Sequence, residues 1–188
     1  MRAVSSTRNR TRAHILKTAA SVLADCPTAS LGDVAEKAGV GRSTLHRYFP
    51  ERSGLTAAVV DEAIEQIRLA VTEAALDRDD TLTALRRAVH AWLEIGPWLQ
   101  YLFNTGHLLA EQDRVNQELD SANKPLTDLL ERGRKEGLLD AGVTVDWLMG
   151  VFWALLYTGW ELAKEGTLPR HDVAANIIRT MENGIMSR

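Results

Sequence analysis

The segment SLGDVAEKAGVGRSTLHRYFPERSGL, residues 30–55, predicts two short helices joined by a tight turn. Gly39 lies at this turn, where glycine adopts a positive φ without a Cβ clash. The apolar residues that would pack between the two helices recur at helical spacing: Val34, Ala35, Ala38, Leu45 and Phe49. This arrangement is typical of a helix-turn-helix, a DNA-binding unit whose second helix enters the major groove. The alternative is an ordinary helical hairpin with a polar outer face.

The outward face of the second helix carries only side chains that form hydrogen bonds: Arg42, Ser43, Thr44, His46, Arg47 and Tyr48. Arg42 can pair with a guanine edge or with a phosphate through its planar guanidinium group. Ser43 and Thr44 would lie at the helix start, where backbone N–H groups favour a phosphate. The Tyr48 hydroxyl could reach a phosphate, or its ring could contact a thymine methyl group. This face therefore has the chemistry that DNA recognition requires.

Charge is distributed unevenly along the chain. Residues 1–55 contain nine Lys and Arg against four Asp and Glu; the whole chain has a net charge of −3, so residues 56–188 carry −8. Such asymmetry indicates a polyanionic partner at one end of the molecule only. Alternatively, Arg8, Arg10 and Arg12 form a solvated tail without a partner.

The stretch from Ile15 to Val60 resembles the N-terminal domain of TetR-family transcriptional repressors. Apolar, turn and capping residues at matching positions carry the resemblance: Ile15, Ala19, Ala20, Leu23, Asp33, Val34, Ala35, Ala38, Gly39, Val40, Thr44, Leu45, Tyr48, Phe49 and Leu55. It implies a homodimer that binds a palindromic double-stranded DNA operator, because one helix-turn-helix contacts only a half-site. It also implies a C-terminal region that binds a small molecule and thereby releases the DNA.

The resemblance implies two sets of DNA contacts: Arg42, Thr44 and His46 to bases, and Ser30, Tyr48 and Arg52 to phosphates. Ser43 and Arg47 complete the predicted DNA-binding set. Ser30 and Arg52 would begin the flanking helices, whose N-termini attract a phosphate group. Ser30 is also the predicted N-cap of the helix that follows it, and Asp33 is at the position that can complete a capping box.

The rest of the chain also has helical periodicity. Beyond the helix-turn-helix, helices are predicted at residues 11–24, 52–76, 81–95, 99–109, 114–136, 145–164 and 171–186. The helix at 114–136 is expected to be interrupted at Pro125 and to stop at Gly137. A disordered arm is predicted at residues 1–9. We expect an all-α fold: a three-helix head that binds DNA, residues 1–52, and a helical bundle for ligand binding and dimerisation, residues 53–188.

All five tryptophans fall in the C-terminal region, together with several Tyr and Phe residues. Apolar, aromatic cavities between helices are common small-molecule sites. The predicted contacts to a small apolar or aromatic ligand are Trp92, Tyr101, Phe103, Trp153 and Tyr157. Glu94 and Glu161 would favour a cationic ligand over a neutral one. The alternative is that these aromatic residues form an ordinary core and that both acids are solvated.

The longest apolar run extends from Trp147 to Trp160. As a helix it would be about 21 Å long, short of the roughly 30 Å hydrocarbon core of a membrane. We therefore expect a helix buried on most sides and no membrane association. Paired with the last helix, it resembles the dimer-forming pair of the family, and Gly150 and Gly159 would allow close helix approach.

Other features narrow the class of protein. The single cysteine, Cys26, excludes a disulfide framework within the chain. The N-terminus lacks the apolar core of a secretory signal, so a cytoplasmic protein is expected. His90, His107 and His171 are scattered, and neither a metal site nor a cofactor is predicted.

Two other functions remain open at this point. One is a helical enzyme with an incidental basic head, although no clustered nucleophile and base, phosphate-binding glycine loop or metal-ligand spacing supports it. The other is a DNA-binding scaffold that senses no ligand. We favour the interpretation that the chain is a ligand-responsive repressor and not an enzyme.

Overall fold

The computed structural model describes residues 2–105 and 111–184, with side chains from residue 7 onward in these ranges. The helices are α1 (Arg2–Asp25), α2 (Leu31–Lys37), α3 (Arg42–Tyr48), α4 (Arg52–Ala74), α5 (Thr81–Glu94), α6 (Gly96–Thr105), α7 (Gln112–Lys135), α8 (Val145–Lys164) and α9 (Arg170–Gly184). The described ranges contain no strand, and the predicted all-α fold is confirmed. The predicted ends of α6 at Leu109 and of α9 at Met186 lie outside the described residues, as does His107.

The helices form two compact units. Unit 1 comprises residues 1–66 and 97–117, and unit 2 comprises residues 67–96 and 118–188, each as far as it is described. The helix-turn-helix of α2 and α3 lies wholly in unit 1, where it packs with α1. Helices α5, α8 and α9 lie wholly in unit 2 and pack against one another.

Helix α1 is longer than the sequence pattern predicts. The expectation of a disordered arm at residues 1–9 was wrong, because α1 begins at Arg2. This segment contains neither Gly nor Pro, and extending a helix whose next turns are buried requires no new nucleation. The Tyr48 hydroxyl also donates to the Arg8 carbonyl at 3.2 Å, which ties the added turns to α3.

The predicted cap, turn and core of the helix-turn-helix are confirmed. The Ser30 hydroxyl accepts a hydrogen bond from the Asp33 N–H at 3.2 Å, and the Ser30 N–H donates to the Asp33 carboxylate at 2.7 Å. Gly39 has a φ of +63°, in the left-handed region that a Cβ disfavours. Leu45 is completely buried and Phe49 is 5% exposed, so both contribute to the core.

Helix α7 continues through Pro125, so the predicted interruption there was wrong. A proline in a helix interior removes one hydrogen bond, crowds the preceding turn and costs roughly 3 kcal/mol. Burial of Ala122, Leu126 and Leu130 on both sides of the proline holds the helix together in spite of this cost. The helix ends just before Gly137, which has a φ of +71° and was predicted as the stop.

Helix α8 has the predicted bounds, and one of its faces packs against α5 and α9. The buried residues on this face are Leu148, Phe152, Leu156, Gly159 and Trp160. A Cβ atom at Gly159 would lie 2.6 Å from Cγ1 of Val173 on α9. Glycine at this position therefore permits the close helix approach that was predicted, whereas a Cβ at Gly150 would meet nothing within 4 Å.

The opposite side of α8 is more exposed than predicted. Trp147 is 63% exposed, and Gly150, Ala154 and Thr158 are exposed as well. The expectation of a helix buried on most sides was wrong for a single chain, because α5 and α9 cover only one face. None of the described helices combines the length and hydrophobicity needed to span a membrane.

Candidate DNA-binding surface and aromatic cluster

A surface cleft in unit 1 brings three of the predicted DNA-binding residues together. It lies where α2 begins and where α3 exposes its outer face, and its lining residues are Ser30, Leu31, Gly32, Arg42 and His46. A Cβ atom at Gly32 would lie 3.5 Å from both Nε and Nη2 of Arg42, so the guanidinium group rests against the first turn of α2. Ser30, Arg42 and His46 therefore form one polar surface although they come from two helices.

The capping box at the start of α2 is coupled electrostatically to this cleft. The Ser30 backbone N–H and hydroxyl, with a smaller contribution from Arg42, hold the pKa of Asp33 below its ordinary value. A carboxylate whose pKa is lowered by folding stabilises the folded state at pH values above its ordinary pKa. This stability is lost as the pH falls through the lowered pKa. The cap is therefore fully formed at neutral pH.

The outer face of α3 is accessible along its length. Arg42, Ser43, His46 and Arg47 are exposed, and Thr44 is half-buried. Gly41 is the N-cap residue of α3, and no side chain caps this end of the helix. The buried Leu45 faces the other way and anchors the helix, so the polar residues are presented on a fixed support.

Tyr48, at the end of α3, is held by α1. Its hydroxyl donates to the Arg8 carbonyl, and the guanidinium groups of Arg8 and Arg47 lie 5.9 and 5.8 Å from its ring centroid. These distances are those of cation–π interactions. One predicted phosphate contact is thus already engaged with a residue that lies 40 positions earlier in the chain.

Arg52, the first residue of α4, is also engaged within unit 1. Its Nη2 donates to the Pro27 carbonyl in the connection between α1 and α2. This bond ties the start of α4 to the connection that precedes the helix-turn-helix. A guanidinium group has five N–H donors, so Arg52 retains donors for a phosphate.

Two residues of α1 that support the surface were not identified from the sequence. His14 Nε2 donates to the Ala38 carbonyl at 3.0 Å, which holds the end of α2 against α1. The Arg12 guanidinium lies 5.7 Å from the centroid of the Phe49 ring. Neither contact has a local sequence signal, because both join residues that are far apart in the chain.

The predicted ligand-binding residues are divided between the units. In unit 2, Trp92 on α5 packs against Phe152 and Trp153 of α8, with ring centroids 6.0 and 6.3 Å apart. Phe152 and Trp153 pack edge to face at 5.3 Å. Tyr157 lies one helical turn after Trp153 and is half-buried. We refer to Trp92, Phe152, Trp153 and Tyr157 as the aromatic cluster; Phe152 was not among the predicted ligand contacts.

The other two predicted ligand residues, Tyr101 and Phe103, belong to α6 in unit 1. Tyr101 is 2% exposed, and burial raises the pKa of its hydroxyl. Phe103 is 42% exposed. The five residues therefore do not form a single cluster within either unit.

One polar atom of the aromatic cluster lacks a partner. Trp92 is completely buried, and its Nε1–H has no hydrogen-bond acceptor among the described residues. A buried donor without a partner costs about 1–3 kcal/mol of desolvation. An acceptor atom supplied from outside the chain would satisfy it.

Known proteins resemble this chain over most of its length. The family model for bacterial regulatory proteins of the tetR family matches residues 15–59. The HTH-type transcriptional repressor LfrR of Mycolicibacterium smegmatis is 37% identical over 183 residues, which cover 97% of this chain and 94% of LfrR. The nucleoid occlusion factor SlmA of Alteromonas mediterranea is 27% identical over 150 residues, covering 77% of this chain and 76% of SlmA.

Among solved structures, the fold resembles that of LfrR from Mycobacterium smegmatis, a TetR-like transcriptional regulator crystallised in complex with proflavine. The TM-score is 0.77 at 36% sequence identity, and the match covers 97% of this chain and 99% of the LfrR chain. The structure of the ketosteroid regulator KstR2 of Mycobacterium tuberculosis has a TM-score of 0.72 at 18% identity, with coverage of 94% and 95%. The likeness to KstR2 concerns the fold alone.

Proposed function

Because the chain belongs to the TetR family of bacterial transcriptional regulators, we propose that it is a repressor whose homodimer binds a palindromic operator and leaves it when a small molecule binds. Members of this family bind DNA and are not enzymes, and this chain is accordingly a DNA-binding regulator. The observation that carries the proposal is the cleft where Ser30, Arg42 and His46 meet on the exposed side of α3. We place the protein in the cytoplasm, where a bacterial repressor reaches its operator.

We assign the DNA-binding role to residues 1–52 and the ligand-binding and dimerisation roles to residues 53–188. Within the first region, Arg42, Thr44 and His46 contact base edges from the outer face of α3. Ser30 and Arg52 bind phosphates at the starts of α2 and α4, and Ser43 and Arg47 add contacts along α3. The division between base and phosphate contacts follows the family resemblance, and placing α3 in the major groove follows the usual docking of a helix-turn-helix.

We expect Arg42→Ala to weaken operator binding by about 1–3 kcal/mol and to weaken binding to random DNA much less. Arg42 is exposed, so its removal leaves the core of unit 1 intact. The measurement is fluorescence anisotropy with a selected operator and with a scrambled duplex of the same length. Equal losses on the two duplexes would show that Arg42 contacts only the backbone.

The homodimer is supported by the uncovered face of α8. Trp147 is 63% exposed there, and Ala154 and Thr158 extend the same side of the helix. A second copy could cover this face through a two-fold, self-complementary contact. The family resemblance of the α8 and α9 pair supports the same arrangement.

We expect light scattering to give twice the chain mass of 20.8 kDa at micromolar concentration. Ala154→Asp would place a charge in the proposed contact, so it should yield a folded monomer that no longer binds the operator. Asn116→Asp adds the same charge on the exposed side of α7 and serves as the control. A wild-type monomer, or an Ala154→Asp dimer, would contradict the proposed interface.

We place the ligand site at the aromatic cluster. Trp92 and Phe152 are completely buried and Trp153 is half-buried, so a ligand would enter between these rings, and the unpartnered Trp92 N–H would favour a ligand with an acceptor atom. The relative LfrR was crystallised with proflavine, a planar aromatic cation. The ligand proposed here is of the same class, a planar aromatic compound that stacks on indole rings and gains cation–π attraction when charged.

Proflavine is expected to quench the tryptophan fluorescence of the chain and to weaken its operator binding. A ligand shifts an equilibrium only by its differential affinity for the two states, so a tenfold loss of DNA affinity corresponds to about 1.4 kcal/mol of coupling. The measurement is the binding of a labelled operator duplex at increasing proflavine concentration. The control is the labelled duplex alone, whose signal proflavine should leave unchanged. If proflavine and related compounds quench the fluorescence while operator affinity stays constant, the chain is a scaffold that senses none of them.

A further inference from the structure

The end of the recognition helix is organised around the Tyr48 ring. The ring lies between α1 and α3, with the Arg8 and Arg47 guanidinium groups within 6 Å of its centroid. The Tyr48 hydroxyl is 3.2 Å from the Arg8 carbonyl oxygen. Both Arg8 and Arg47 are exposed, so their charges are open to solvent, whereas the Tyr48 ring is half-buried.

The hydroxyl bond restricts what Tyr48 can do. A phenol has a single proton, and a carbonyl oxygen accepts but does not donate, so the Tyr48 proton is directed at Arg8. A DNA phosphate is likewise an acceptor that requires a donor. The Tyr48 hydroxyl is therefore occupied, and the available donors at this end of α3 are the two guanidinium groups.

These two positive charges have no nearby carboxylate in their own helices. Residues 1–24 contain no Asp or Glu, and neither does α3. Arg8 and Arg47 also form no ion pair among the described residues. Two like charges held on one ring repel each other, and a bound anion would relieve this repulsion.

We propose that Arg8 and Arg47, held on the Tyr48 ring, bind a DNA phosphate at the edge of the groove that α3 enters, and that Tyr48 is a positioning residue. The inference rests on the proposed function, that the chain binds DNA through α3. A guanidinium group binds phosphate with two parallel hydrogen bonds only when its plane is oriented, and the aromatic ring supplies that orientation. Helix α1 thereby becomes part of the DNA-binding surface.

The same helix contains a matched control. Arg8 and Arg12 are four residues apart and share one face of α1, the face that meets Tyr48 and Phe49. Arg10 is two residues from Arg8, so it points to about the opposite side of the helix. It is exposed and bonds locally to Thr7. Arg8→Gln and Arg10→Gln thus remove equal charge from opposite sides of α1.

The experiment measures the affinity of the wild type and of Arg8→Gln, Arg10→Gln, Tyr48→Phe and Tyr48→Leu for one selected operator between 50 and 200 mM salt. Arg8→Gln should weaken binding about tenfold and lower the salt slope by about 1 for each protomer bound. Arg10→Gln should change the slope by much less. Tyr48→Phe keeps the ring and should weaken binding less than about threefold at an unchanged slope, because it removes no donor to phosphate. Tyr48→Leu removes the ring and should behave like Arg8→Gln.

Two results would overturn this inference while leaving the proposed function intact. If Arg8→Gln and Arg10→Gln lower the salt slope equally, Arg8 has no specific phosphate contact. If Tyr48→Phe weakens binding as much as Arg8→Gln does, the hydroxyl itself is the contact. Arg8 and Arg10 are exposed, so both glutamine variants should keep the wild-type circular dichroism spectrum. A wild-type chain that fails to bind DNA would instead refute the proposed function, and this inference with it.

Discussion

Leu45→Ala is expected to destabilise the protein by about 2–5 kcal/mol and to abolish operator binding, although Leu45 touches no DNA. Leu45 is completely buried on the inner face of α3. Removing its branched side chain leaves a cavity between α3 and its supporting helices, and the surrounding side chains refill such cavities only in part. Because α3 is a helix of seven residues, it depends on this packing for its position.

The measurement for Leu45→Ala is urea denaturation followed by far-UV circular dichroism, with operator binding measured in parallel. Arg42→Ala is the matched control in the same helix, because Arg42 is exposed. It should lose operator affinity without losing stability, whereas Leu45→Ala should lose both. A Leu45→Ala protein as stable as the wild type would show that the core of unit 1 does not depend on this side chain.

Gly159→Val should destabilise the protein by roughly 3 kcal/mol, the upper end of the usual cost of overpacking. A Cβ atom there would lie 2.6 Å from Val173 Cγ1 and 3.1 Å from Ile177 Cδ1. Val173 and Ile177 are 3% and 4% exposed, so they have little space to move away. The α8 and α9 pair would be forced apart, and we therefore expect weaker dimerisation as well.

The control for Gly159→Val is the same substitution at Gly54 in α4. A Cβ atom at Gly54 would meet nothing within 4 Å. Replacing a helical glycine in open space removes an unfavourable helix propensity, so Gly54→Val should be neutral or slightly stabilising. Thermal unfolding of both variants against the wild type checks the pair. Equal melting temperatures for the two would mean that α8 and α9 can separate at little cost.

The sequence predicted the features that depend on neighbouring residues. Ser30 and Asp33 are three positions apart and form a capping box, and Gly39 occupies the turn that requires a positive φ. Leu45 and Phe49 are four positions apart and form the buried side of α3 and its C-cap. Each of these local patterns favours one local structure, so it can be identified without knowing the tertiary fold.

The features that the sequence did not predict join distant parts of the chain. The Tyr48 bond to Arg8 spans 40 positions, and the Arg52 bond to Pro27 spans 25. Helical periodicity shows which face of a helix is apolar but not which other helix covers it. The predicted ligand residues Tyr101 and Phe103 belong to a different unit from Trp92, and their part in one ligand site stays a prediction.

Two errors concerned the ends and continuity of helices. The extension of α1 to Arg2 depends on an anchor on α3, and the continuity of α7 at Pro125 depends on buried neighbours. Local propensity favoured a break at Pro125, and in both places contacts with distant residues decided the result. Such positions are where a single sequence is least informative.

Selection of binding sites from a random double-stranded DNA library tests whether α3 reads a specific DNA sequence. We expect enrichment of one sequence made of two inverted half-sites, with centres about one helical turn, or 34–36 Å, apart. The wild-type dimer should bind it at least about 10³-fold more tightly than a scrambled duplex at physiological salt. Selection that enriches no sequence, or equal affinity for the enriched and scrambled duplexes, would contradict the assignment of α3 as a recognition helix.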